Sequence, residues 1–149
     1  MIKISKLTDY AVVVLTQMGR HGTVHTVSSL AESTGIPAPT VAKLLKPLTA
    51  AGLVASHRGV NGGYSLSLAP EDVTVAAIIT ALEGPIAVTE CVSEADTLCG
   101  VERLCPMRGN WEKINRAVRR ALEEVTLADM APPPWPLPPA ALTGERTAL

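Results

Sequence analysis

Apolar side chains at Leu7, Tyr10, Ala11, Val14, Leu15 and Met18 recur at steps of three and four, the period of a helix that buries one face. The pattern predicts a first helix over residues 6–19, ended by Gly19. A short loop then leads to VSSLAEST, a second helix with Thr26 or Ser28 as N-cap and Gly35 as its close. IPAPTVAKLLKPLTAAG supplies the third, with prolines near its start, Val41, Leu44, Leu45 and Leu48 on its apolar side and Gly52 beyond its end. Two short helices around a tight turn containing Gly form the helix-turn-helix pattern. Pro47 lies inside the third helix, where it removes a hydrogen bond and costs ~3 kcal/mol unless the helix bends or stops there.

After Gly52 the period changes. LVASHR and YSLSL alternate every second residue and flank GVNGG, a β-hairpin with a glycine-rich tip. Three helices followed by such a hairpin predict a winged helix-turn-helix, so the fold class is mainly α with a two-stranded wing. Thr74 is placed to cap a fourth helix, VAAIITALEG. From Pro106 a long helix is expected, with Trp111, Ile114, Val118, Ala121, Leu122, Val125 and Ala128 in one stripe and charged residues around it. That stripe is read as packing on a second copy, because a winged helix of ~90 residues can bury its own face. The chain therefore divides into a winged-helix DNA-binding domain (1–84), a cysteine-rich loop (85–105), a dimerisation helix (106–131) and a proline-rich tail (132–149) expected to be extended or disordered.

Composition narrows the class. The 149 residues are 47% hydrophobic with no Phe, two Trp and two Tyr, so the core must be aliphatic. No apolar run reaches the ~18–20 residues of a membrane span and no secretion signal is apparent, so a soluble, cytoplasmic protein is expected. The net charge of −1 hides an asymmetry. Residues 1–68 carry six Lys and Arg against two acids, and residues 69–149 carry seven against twelve, a balance of +4 against −5. A basic first half suits a polyanion. The three cysteines, Cys91, Cys99 and Cys105, fall within fifteen residues, which argues against a disulfide framework and for a shared site. No phosphate loop, H-E-x-x-H or paired-carboxylate motif is present, so no enzyme is expected.

SKLTDYAV near the start, RGVNGGYSL at the wing, ALEGPIAVTEC before the loop and CPMRGNW after it closely resemble one family. It is that of the iron–sulfur-responsive winged-helix regulators typified by IscR, NsrR and RirA, most of all the branch that regulates the SUF iron–sulfur assembly operon. The resemblance spans residues 1 to about 130 and leaves out the proline-rich tail. It implies a homodimer on a palindromic double-stranded operator, with one iron–sulfur cluster per subunit on the C-x7-C-x5-C trio. A 2Fe–2S cluster is preferred over 4Fe–4S, although three cysteines do not decide between them. Three thiolates leave one ligand to be found. IscR's His, three residues after the last Cys, is Arg108 here, which stays protonated and cannot ligate. Asp9 occupies the place of the NsrR branch's Asp, supplied across the dimer. Ala42 stands where IscR has a Glu, so IscR's discrimination between operator classes need not carry over.

For DNA, the third helix is the one expected in the major groove. Pro39 lies at its approach, Thr40 and Lys43 at base edges, and Lys46 one turn on at phosphate. Arg58 suits a narrow minor groove, Gly62 and Gly63 are expected to let backbone N–H groups approach phosphate, and Ser5 and Lys6 are expected on the DNA backbone. The expected function is a transcriptional repressor that senses cluster or redox status and controls iron–sulfur assembly genes. The alternatives place a zinc ion, or a metal-free thiol redox switch, on the same cysteines.

Overall fold

The computed structural model describes residues 3–89 and 105–131. Helices α1 (Lys6–His21), α2 (Val27–Thr34) and α3 (Ala38–Ala50) precede an antiparallel hairpin, β1 (Val54–His57) and β2 (Gly63–Leu66), in which Val54 pairs with Leu66 and His57 with Gly63. A 3-10 turn (Pro70–Asp72), α4 (Val75–Glu83), α5 (Arg108–Glu124) and α6 (Leu127–Met130) follow. The core is aliphatic, as the composition requires: Ala11, Val14, Leu15 and Met18 of α1 meet Leu30, Val41, Leu44, Leu45, Leu48 and Ile78. On α1 and α3 the predicted apolar stripes are the buried faces.

Caps settle where the helices begin. Ser5 accepts from the Thr8 N–H, Thr26 and Ser29 form a reciprocal capping box, and Thr74 accepts from the Ala77 N–H. The first helix does not stop at Gly19. It continues to His21 and is closed by Gly22 in the left-handed conformation, φ 56°. Gly19 serves packing instead, since a Cβ there would lie 3.0 Å from Pro70 Cγ and 3.4 Å from Leu66 Cδ1. Pro47 does not end α3, which runs on to Ala50, so Lys46 sits on a continuous helix.

The single helix expected over residues 106–131 is two. Val125 is extended (φ −97°, ψ 122°), and Thr126 opens α6 with a capping box to Asp129. The break occurs because Leu127, 1% exposed, turns into the winged-helix core, and its N–H bonds the Val73 carbonyl at 2.7 Å. Burying that leucine outweighs continuing the stripe.

Candidate nucleic-acid interface and cysteine segment

On α3, Val41, Leu44, Leu45 and Leu48 are buried, whereas Pro39, Ala42, Lys43 and Lys46 are exposed. These four positions follow the helical period and form one outward face that carries two cations. Thr40 is half-buried beside it, its N–H donating to the Pro37 carbonyl at 2.9 Å. Lys6 is exposed on α1, its ammonium 5.3 Å from the centre of the Tyr10 ring.

The wing is held rigidly. His57 Nε2 and Ser65 Oγ hydrogen-bond across the hairpin at 2.8 Å, and Tyr64 exchanges two backbone bonds with His25 at 2.7 and 2.8 Å. That bridge ties the α1–α2 loop to the hairpin. Burial and the neighbouring His21 hold the His25 imidazole below its ordinary pKa, which favours the neutral ring. Gly62 and Gly63 have work inside this framework. A Cβ on Gly63 would lie 2.4 Å from the His25 carbonyl oxygen, one on Gly62 would lie 2.6 Å from that of His57, and the Gly62 N–H already donates to the Gly59 carbonyl at 3.0 Å. Arg58 is exposed, and Val60, which the pattern of the sequence did not single out, is fully exposed at the tip. An isolated valine inside a glycine-rich turn has no periodicity to mark it.

Ser5 is committed within the fold, its hydroxyl to the α1 cap and its N–H to Glu83 Oε1 at 3.1 Å. The Thr8 hydroxyl also donates to Glu83. These hydrogen bonds hold the Glu83 carboxyl below the usual carboxylate range. One turn into α1, Asp9 is exposed, and its carboxylate has no hydrogen-bond or ion-pair partner among the described residues.

Cys105 is a partly exposed free thiol just before α5, and Cys91 and Cys99 lie outside the described residues. Among the described residues no three metal-ligating side chains come together. Cys105 and the exposed carboxylate of Asp9 are nonetheless donor types that an iron–sulfur cluster or a zinc ion accepts. Sequence reasoning missed Asn115. This residue of α5 is 6% exposed, and its Oδ1 accepts the Val88 N–H at 3.1 Å, which fastens the segment leading to Cys91. A polar Asn in line with Trp111, Val118 and Leu122, on the apolar stripe of the helix, was the available signal.

Residues 4–133 match the family described as Rrf2, iron-dependent transcriptional regulators. The chain belongs to the Rrf2 family. Its relatives include the HTH-type transcriptional regulator CymR of Bacillus subtilis, 33% identical over 132 residues, 87% of this chain and 90% of CymR. The solved structure of CymR, the global cysteine regulator of B. subtilis, superimposes with a TM-score of 0.66 at 32% identity, covering 88% of this chain and 97% of that one. The structure of T. potens IscR does so at 0.62 and 30%, covering 87% and 85%. The family includes regulators of the IscR, NsrR and RirA types, as the sequence resemblance indicated, and the winged helix is the fold of its CymR and IscR structures. This Rrf2 member is a DNA-binding transcriptional regulator and not an enzyme. Among the described residues no helix is long and apolar enough to cross a membrane.

Proposed function

We propose that this chain binds a palindromic operator as a homodimer and represses iron–sulfur assembly genes according to the state of a cluster on Cys91, Cys99 and Cys105, with Asp9 supplied across the dimer as fourth ligand. The observation that carries the DNA half is the outward face of α3, where Lys43 and Lys46 stand exposed beside Pro39 and Ala42. A major groove about 12 Å wide admits one helix, whose exposed cations reach guanine edges and phosphates. Arg58 and Val60 at the wing reach the adjacent minor groove. Ser5 and Lys6 approach the backbone at the start of α1, Ser5 through its own cap. Gly62 and Gly63 keep the wing narrow enough to approach phosphate, although the Gly62 N–H is spent within the hairpin.

Support for the cluster comes from the clustered cysteines, the free thiol of Cys105, the exposed carboxylate of Asp9, without a partner among the described residues, and the likeness to IscR. When bound, a cluster would tie the three thiolates of Cys91, Cys99 and Cys105 into one unit. Asp9 contributes a hard oxygen, a weaker iron ligand than thiolate, which suits a site that must release its cluster. A coupling of about 1–3 kcal/mol between that site and the recognition helices changes operator affinity about 5–150-fold.

Anaerobic purification of the wild type and Cys91→Ala, followed by absorption and metal analysis, tests this. Coloured, iron- and sulfide-bearing wild type and colourless C91A are expected. Colourless protein holding zinc establishes the zinc site. Protein free of metal whose DNA binding responds to thiol oxidation establishes the redox switch, for which the likeness to CymR, the global cysteine regulator of B. subtilis, speaks.

A further inference from the structure

Residues 84–88 join the end of α4 to the segment that α5 holds, and among the described residues little packs around their middle. Pro85 and Ile86 form a ridge between two open clefts, one of about 560 Å³ reaching Arg119 and Glu123, the other of about 450 Å³ floored by Ile79, Val118 and Leu122. A backbone so thinly supported takes its position from its ends. Both ends are hydrogen-bonded. At one, Glu83 accepts from Ser5 and Thr8 at the start of α1, and the Gly84 N–H donates to the Thr80 carbonyl at 3.1 Å. At the other, the Val88 N–H donates to the buried Oδ1 of Asn115 on α5.

We infer that residues 84–88 form a strut between α5 and the N-terminus of α1, and that Asn115 is a positioning residue which fixes the N-terminal half of α5 against each DNA-binding lobe. The other end of α5 is held by the Val75–Val125 and Leu127–Val73 backbone bonds, so that the two together set the angle between lobe and α5. The inference rests on the reading above, in which α5 pairs two copies and α3 enters DNA. Half-sites lie one helical turn, roughly 34 Å, or a multiple apart, so the angle between lobe and pairing helix selects which spacings both recognition helices can reach together. Asn115 touches no DNA, so its loss changes spacing preference and leaves the affinity of one lobe for one half-site unaltered.

Two measurements on the full chain test the strut: amide hydrogen exchange at Val88 and Ser5, and selection from random duplexes of about 30 bp, long enough for two half-sites one turn apart. Wild type is expected to protect both amides and to select one spacing. Asn115→Leu is expected to accelerate exchange at Val88 and, through the strut, at Ser5. It is also expected to select several spacings, and to bind the wild-type palindrome about tenfold more weakly, within the usual range of couplings between sites. Asn115→Asp keeps the acceptor oxygen and is expected to restore the single spacing, which separates positioning from a folding defect. Acceleration confined to Val88, with the wild-type spacing retained, overturns the inference. Wild type that selects only lone half-sites overturns the reading of a dimer on a palindrome, while the exchange at Ser5 still decides whether the strut transmits.

Discussion

At Gly63 the space for a side chain is already occupied by backbone. A Cβ placed there would approach the His25 carbonyl oxygen to 2.4 Å, and neither the hairpin nor the α1–α2 loop can yield without breaking the paired bonds between His25 and Tyr64. Gly63→Ala is therefore expected to destabilise the chain by about 1–3 kcal/mol, as overpacked cores do, read from the shift of the urea midpoint. A midpoint within error of wild type would show that the hairpin accommodates the methyl. The glycines of GVNGG were legible as a hairpin tip from their spacing alone. Their role against His25 was not, because the contact partner lies some forty residues earlier in the chain.

Between elements, the decisive link joins α4 to α1. Glu83, the last residue of α4, accepts from Ser5 and Thr8, and these donors favour its charged form, so its folded pKa lies below the unfolded value. A carboxylate depressed in this way contributes stability at neutral pH that is lost as pH falls through its folded pKa, in the acid range below the ordinary carboxylate value. Glu83→Gln is expected to be less stable than wild type at pH 7, and the gap is expected to narrow as pH falls through the folded pKa of Glu83, below the ordinary carboxylate range. Urea unfolding at pH 7 and across the acid range checks this, and a gap that does not change with pH would mean that the charge is irrelevant. Helix periods, caps and the hairpin were all readable beforehand, since each depends on residues within a few positions. The break at Val125 was not, because the core pocket for Leu127 decides it from afar, and the packing of Gly19 against Pro70 and Leu66, which leaves Gly22 to close α1, was equally hidden.

In the whole molecule, the stripe on α5 divides. Val118 and Leu122 are half-buried beside α4, whereas Trp111 is 40% and Ile114 46% exposed. Adjacent large apolar residues left in water on an otherwise charged helix mark an interaction face, and a second copy is the occupant proposed above. Ile114→Glu is expected to yield a folded monomer by sedimentation, with the helical circular dichroism kept and affinity for a palindrome reduced by at least about tenfold, because two linked lobes bind far more tightly than one. A variant that sediments as wild type would move the pairing surface elsewhere.

Local chemistry in the chain was enough to determine the winged helix, the outward cations of its third helix, the cysteine trio and the resemblance to iron–sulfur regulators, because helical period, turn glycines and motif spacing are written in neighbouring residues. Tertiary structure alone decided that Ser5 is bound to Glu83, that Gly63 is held against the His25 backbone, that Leu127 breaks the last helix and that Asn115 grips Val88. Each of these depends on a partner distant in sequence, and only the packed core brings such partners within bonding distance.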